Sequence, residues 1–344
     1  MWIFLAFLVG VVFLVFWSGP ASLPGNTPKG INTLEKVKLS GSEQWISIRA
    51  VDRGKPVLLF LHGGPGSANL ALLRKQAPEL EQHFVVVNWD QRGAGKSVKP
   101  FANEHMTVAQ LQADTHALVE YLKARFGVEK VYLVGFSWGT VLGLSYAADH
   151  PENLYAYIGV GQYVNALEGE LLSLEYVREQ AQQQDNQEAL VELAHIASTS
   201  YTSADWFDQL MIQRKWLLQF GGVYHTRDSY NHEAWMLFTA PEYSLVDFMF
   251  WPSGSSHSLK QMYPEVLQVN FFKTIPQVEI PVYFLVGRYD YNTPHELVER
   301  YCEQLSAPAG KQLIWFENSA HAILWDEPEK FAQTIIHIEQ NLHR

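Results

Sequence analysis

The chain holds a single cysteine, Cys302, in 344 residues. That excludes an internal disulfide framework and any Cys-x-x-Cys metal or redox site. A basic excess is also missing: 25 lysines and arginines face 36 aspartates and glutamates, a formal charge of −11. A nucleic-acid binder needs a basic face to meet phosphates, so this balance argues against one. It leaves a neutral or cationic small substrate open. No repeat recurs at a fixed period, which excludes solenoids and propellers. A phosphate loop is absent as well. Gly95-Lys96-Ser97 looks like the end of one, but the motif needs glycine at position 90, where Asp90 stands. His225, His232 and the remaining histidines lack metal-ligand spacing, so no metal or organic cofactor is implied. What the chain has is apolar mass. Hydrophobic residues make up 47% and charged residues 18%, enough for a large core and too apolar for wholesale disorder.

Charge is also absent from the first 17 residues, Met1 to Trp17, which include one glycine, Gly10. A spanning helix needs about 17–25 apolar residues, so the run sits at the lower limit. Trp2 and Trp17 stand at its ends, where an interfacial aromatic is favoured. Residues 1–18 therefore read as a membrane anchor, with a cleaved export signal and a buried core helix as rivals. The signal reading suffers because no lysine or arginine precedes Lys29, and Gly19-Pro20-Ala21 is a poor cleavage site. Lys29, Lys36 and Lys38 follow the run and favour a cytoplasmic body. Residues 19–30, with Gly19, Pro20, Pro24, Gly25, Pro28 and Gly30, read as a linker.

From there, short apolar runs alternate with helical periodicity. Runs are expected at 57–62, 84–89, 131–136, 155–160, 281–286 and 312–316, with edge strands at 37–39 and 45–49. Helices are expected at 108–126, 138–148, 294–305 and 326–342. The fold class is α/β: a mostly parallel sheet with helices on both faces. The alternation stops between residues 161 and 274, a helical stretch that is acidic early and aromatic late. It reads as a cap inserted into a body of residues 31–160 and 275–344, over the carboxyl edge where such sheets form sites.

Gly135-Phe136-Ser137-Trp138-Gly139 fits G-x-S-x-G, with an apolar run before it and a helix after it. The glycines permit a tight turn that exposes the Ser137 hydroxyl, and the helix amino terminus favours developing negative charge. A serine needs a base, and in this architecture an acid and a histidine follow it in that order. Asp290 follows the run at 281–286 and His321 follows the run at 312–316, so both fall at the same sheet edge as Ser137. Asp326, five residues past His321, is the rival acid, with helix capping as its competing role. His62-Gly63-Gly64-Pro65-Gly66 is a glycine-rich turn beside the nucleophile. Its Gly64 N–H and the Trp138 N–H are the expected oxyanion donors, with Gly63 as substitute. Dehalogenase and epoxide hydrolase chemistry needs aspartate at the position of Ser137 and is disfavoured.

On these motifs, and on Asp90-Gln-Arg-Gly-Ala-Gly-Lys-Ser97, the chain resembles the α/β-hydrolases, and within them the proline iminopeptidase-like serine peptidases. The resemblance spans residues 55–344 and implies removal of an N-terminal residue, often proline, through an acyl-enzyme. It implies that Asp90 and Arg92 brace the loops around the site. Family members bind the substrate amine with cap carboxylates, and Pro241-Glu242-Tyr243 makes Glu242 the expected one. A second candidate pool is the early-cap cluster Glu168, Glu170, Glu175 and Glu179, with Arg178 among them. The expected substrate is a short peptide or amide. A carboxylesterase for neutral acyl esters and a hydrolase-fold binding protein with slow or no turnover are the alternatives.

Overall fold

The computed structural model describes residues 17–25, 27–99, 106–197 and 199–342. The anchor or signal reading therefore falls almost wholly outside the described residues. Among those described, no helix is long and apolar enough to cross a membrane.

Eight strands form one sheet: β1 (Ile31–Leu39), β2 (Ser42–Ala50), β3 (Val57–Leu61), β4 (Val85–Asp90), β5 (Val131–Phe136), β6 (Leu154–Val160), β7 (Val282–Gly287) and β8 (Lys311–Phe316). Their spatial order is β1-β2-β4-β3-β5-β6-β7-β8. β1 and β2 pair antiparallel, as do β2 and β4, while the pairs from β4 across to β8 are parallel. The edge hairpin is longer than its apolar signal. Side chains of β1 are half-exposed up to Lys36, so little apolar alternation marks them. Its register closes Leu39 on Ser42 through Ser40 (φ 41°) and Gly41 (φ 88°), a pair of left-handed residues suited to a two-residue hairpin.

β3, β4 and all of β5 but Phe136 are buried on both faces, as a parallel sheet covered by helices requires. Alternate side chains feed two cores. Val57, Leu59, Leu61, Val131 and Leu133 pack with Leu118, Leu122 and Val141 from the helices Val108–Phe126 and Trp138–Asp149. Leu58, Phe60, Tyr132 and Val134 pack on the other side with Phe331, Ile335 and Ile338 of the helix Pro328–Leu342. Thr107 caps the helix Val108–Phe126 by accepting from the Gln110 N–H, and left-handed Gly127 ends it. The helix expected at 326–342 begins at Pro328 and runs to Leu342, with a separate short helix, Ile323–Asp326, before it. Pro328 disfavours helical backbone at Glu327 and so starts a new helix instead of continuing the first.

Between β6 and β7 the chain leaves the sheet and forms the helices Ala166–Gln183, Gln187–Leu193, Trp206–Gln219, Asn231–Phe238, Leu245–Val266 and Phe271–Thr274. This inserted helical region leaves and returns at one neck. Asn165 and Asn270 form an isolated bridge, the Ala166 N–H donates to Val269 O, and the Phe271 N–H donates to Val164 O. Residues 19–30, expected as a spacer, are held to the body at several points. Arg49, itself paired with Glu81, donates to Ala21 O and Ser22 O, and the Gly19 N–H donates to Pro241 O at 2.8 Å.

Candidate active site

β5 ends at Phe136, and Ser137 occupies the turn into the helix Trp138–Asp149 with φ 53° and ψ −121°. A non-glycine residue rarely holds positive φ, and the cost is tolerated here because the surroundings leave no alternative. A Cβ on Gly139 would lie 2.2 Å from Leu61 O, and one on Gly135 would lie 2.6 Å from Gly139 O. Only glycine lets the helix seat this close to β3 and β5. The Ser137 N–H donates to Val160 O at 2.9 Å, tying the turn to the end of β6. A Cβ on Gly63 would lie 3.3 Å from Ser137 Cβ, so the His62–Gly66 turn touches the nucleophile turn. Gly64 holds φ 123°. Among the described residues the Gly64 and Trp138 N–H groups have no protein acceptor. The Trp138 amide sits at the positive end of the helix.

Asp290 and His321 meet. Asp290 lies on the loop after β7 and is fully buried. Its Oδ1 accepts from the Asn292 N–H (2.9 Å) and the Thr293 N–H (2.8 Å). Its Oδ2 accepts from Thr293 Oγ1 at 2.8 Å and from His321 Nδ1 at 2.9 Å. An Nδ1–H directed at the carboxylate leaves His321 Nε2 as the basic nitrogen. The His321 ring packs on Phe136, the residue before Ser137, with centroids 5.2 Å apart. A Cβ on Gly161 would lie 2.8 Å from the imidazole, so glycine there admits the ring. No hydrogen bond joins Ser137 Oγ to His321 among the described residues, a spacing common before substrate closes such a pair. The rival carboxylate does other work. Asp326 Oδ2 accepts from the His225 N–H and the Ala320 N–H, each at 3.0 Å.

Asp90, Arg92 and His62 form the scaffold behind these loops. Asp90 Oδ2 accepts from the Lys96 N–H at 2.7 Å, and the Tyr243 hydroxyl donates to Asp90 at 2.9 Å. Burial pushes the Asp90 carboxyl up to about 7, against those hydrogen bonds. Arg92 grips Asp114 with two donors, at 2.8 and 2.9 Å. His62 Nδ1 lies 2.7 Å from Gly63 O, and its Nε2 accepts from the Gln91 N–H at 3.1 Å. Burial lowers His62 to about 4 against the Gly63 hydrogen bond, so it stays neutral and can accept. Gln91 Oε1 then accepts from Trp138 Nε1 at 2.9 Å, joining this scaffold to the nucleophile helix.

Glu242 is a correction to the sequence reading. Its side chain is fully buried and faces Arg74, whose Nε and Nη2 donate to its two oxygens at 2.8 Å each. It clamps the inserted region to the helix Leu72–Gln76, and no face remains for a substrate amine. Removing one partner of a buried ion pair leaves the other uncompensated. Glu242→Gln is expected to cost about 3 kcal/mol of stability. Thermal unfolding reads that loss, and kcat/KM per folded molecule stays unchanged. The early-cap cluster also divides. Glu168 pairs with Arg300 at the surface, Glu175 and Glu179 are exposed, and Arg178 holds the carbonyls of Leu193 and Ile196. Glu170 alone is buried, paired with Arg214 at 2.5 Å.

A family model described as the alpha/beta hydrolase fold matches residues 56–328. The chain belongs to the α/β-hydrolases. Within them it falls with the proline iminopeptidase-like family. It is similar to the probable aminopeptidase YbaC of Bacillus subtilis (strain 168), 32% identical over 311 residues, covering 89% of this chain and 96% of that protein. It is also similar to a proline iminopeptidase of Heyndrickxia coagulans, 27% identical over 292 residues, covering 82% of this chain and 89% of that one. A crystal structure of a proline iminopeptidase-related protein from Thermus thermophilus shares the fold, with a TM-score of 0.65 at 21% identity over 89% of this chain and 96% of that one.

This α/β-hydrolase site includes residues that sequence reasoning missed. Thr293 contacts both Asp290 and His321, and its offset of three from Asp290 is the available signal, that of a local side-chain-to-backbone turn. The cap segment around Val223 is the other. The Tyr291 N–H donates to Gly222 O at 3.3 Å and the Ala322 N–H to Val223 O at 2.9 Å, so the cap is stitched to the chain beside both Asp290 and His321. From there an aromatic wall runs outward. Phe136 packs on Trp325 (5.8 Å), Trp325 on Tyr224 (6.1 Å), and the Tyr224 hydroxyl bonds Glu233. Glu233, on the helix Asn231–Phe238, is half-buried, and desolvation raises its carboxyl to about 8. A lone glutamate in an aromatic-rich helix carries no signal by itself. Its surroundings come from residues 224 and 325.

Proposed function

We propose that this α/β-hydrolase is a serine aminopeptidase that removes an N-terminal residue from short peptides or amides, beneath a cap formed by residues 161–274. Ser137 attacks the scissile carbonyl while His321 Nε2 takes its proton. The Gly64 and Trp138 N–H groups receive the oxyanion. His321 protonates the leaving amine, and water activated by the same imidazole releases the acyl group. Asp290 holds the imidazole in the tautomer this requires and stabilises its cation. The contact between Asp290 Oδ2 and His321 Nδ1, 2.9 Å, beside the strained Ser137 turn, is the observation that carries the reading. The likeness to the probable aminopeptidase from Bacillus subtilis supports the choice of leaving group.

Glu233 takes the role first expected of Glu242. It is a cap carboxyl tied through Tyr224 to the segment beside His321, and its proton is held to about pH 8. A substrate α-amine titrates at about 7.7–8.0, so binding pairs a carboxylate with an ammonium once Glu233 has lost its proton. KM for a free-amine substrate is therefore expected to fall as pH rises toward 8, and to rise again above it as the amine deprotonates. Glu233→Gln removes the acid limb and raises KM about ten- to a hundredfold, the loss of one charge-assisted contact. A prolyl arylamide, its N-acetyl form and a neutral p-nitrophenyl ester make the test. Turnover unaffected by acetylation, in both wild type and Glu233→Gln, would remove the aminopeptidase reading. The aromatic wall of Phe136, Trp325 and Tyr224 favours the esterase as the second reading, because it suits an acyl chain as well as a prolyl ring.

A further inference from the structure

The helix Asn231–Phe238 and the first turns of the helix Leu245–Val266 leave large apolar side chains in solvent. Trp235 is 65% exposed, Phe238 48%, Leu245 41% and Met249 73%. Trp235 and Phe238 have ring centroids 5.9 Å apart, and Phe238 meets Phe248 edge-on at 5.3 Å, which links the two helices. Leu245 and Met249 are four residues apart and share a helix face. Between Trp235 and Trp251 the charged residues are Glu242, buried on Arg74, and Asp247, paired with Lys96. A contiguous apolar surface of this kind marks an interaction site.

The path of the N-terminal segment says what covers it. Gly19 is bonded to Pro241, in the turn between these two helices. Ser18 Oγ accepts from Lys96 Nζ at 2.9 Å, the same ammonium that holds Asp247 at the start of the second helix. Trp17 is 49% exposed. Trp17, the last residue of the uncharged run, therefore lies where the chain meets the body at this surface.

We propose that this face of the cap lies flat on a phospholipid bilayer, with Trp17, Trp235, Phe238, Leu245 and Met249 seated at the headgroup boundary. Tryptophan and phenylalanine favour that boundary. The formal charge of −11 opposes an anionic surface, so the occupant is a zwitterionic one and the contact is held by apolar burial. The helix that bears Trp235 and Phe238 also bears Glu233, so docking sets the amine-binding end of the cap against the bilayer surface.

The full-length chain in a Cys302→Ser background, nitroxide-labelled at Leu245→Cys or Met249→Cys, tests this with phosphatidylcholine vesicles. A label at Val191→Cys is the control, since Val191 is 64% exposed on another cap helix. Labels at 245 and 249 are expected to gain oxygen contact and lose contact with a water-soluble nickel complex, at a depth of about 5–10 Å. The label at 191 stays aqueous. Nickel contact at 245 and 249 equal to that at 191 would overturn the proposal. So would spin–spin broadening between copies before vesicles are added, which would give the face to a second copy of the chain.

Discussion

Ser137→Ala is expected to lower kcat roughly 10⁶-fold while leaving substrate affinity and thermal stability close to wild type. In the proposed mechanism the Ser137 hydroxyl is the one group that no neighbour replaces. The hydroxyl makes no hydrogen bond among the described residues, so alanine forfeits none, and it inherits the φ of 53° that the turn imposes. The Gly64 and Trp138 amides and the cap remain, so binding persists and a residual rate above water is retained. Single-turnover assays on an arylamide, with a fluorophosphonate label as a second readout, check this. Turnover and labelling equal to wild type would remove the mechanism, because a different nucleophile would then carry the reaction and take the label.

Asp290→Asn is expected to cost about 10⁴ in kcat, although it deletes no atom of bulk. The reason lies in which oxygen does what. Oδ1 is held by two backbone donors, the amides of Asn292 and Thr293. An asparagine must keep its carbonyl oxygen there, since its NH₂ cannot accept. The NH₂ is thereby forced toward His321 Nδ1, at the position where Oδ2 now sits 2.9 Å away. Facing a donor, Nδ1 gives up its proton and Nε2 carries one instead, the wrong tautomer for a base. Asp326→Asn tests the alternative. It disturbs the amides of His225 and Ala320 and is expected to lower stability with kcat within a few-fold of wild type. If Asp326→Asn gave the 10⁴ loss and Asp290→Asn did not, the acid would have been misassigned.

Much of this arrangement was readable along the chain. β5 starts and ends where its apolar run does, at Val131 and Phe136, and the helix before it stops at Gly127 as expected. Asp290 and His321 were singled out because each follows an apolar run, and the parallel order of β6, β7 and β8 puts those strand ends at one edge. Elsewhere local pattern was not enough. The strand β1 is longer than the expected 37–39 because its half-exposed edge residues carry weak alternation. Residues 19–30 have the composition of a linker, yet Arg49 and Pro241 hold them by backbone contacts that composition does not encode. Glu242 sits in a family-like segment, but its partner Arg74 lies 168 residues away.

The sequence by itself determined the fold family of this α/β-hydrolase and the sheet edge at which a serine, an acid and a histidine fall. Glycine at 135 and 139 is a steric requirement of the turn, and the order of serine, acid and histidine follows from strand order, so both are written in local spacing. Which carboxylate meets which partner was decided only by the tertiary structure. A carboxylate has the same local signature whether it faces a guanidinium, a tyrosine or water. Asp290, Asp326, Glu170, Glu233 and Glu242 took their separate roles from burial and from neighbours distant in the chain. The cost of burying a charge depends on what surrounds it in space, and strand and helix periodicity does not record that.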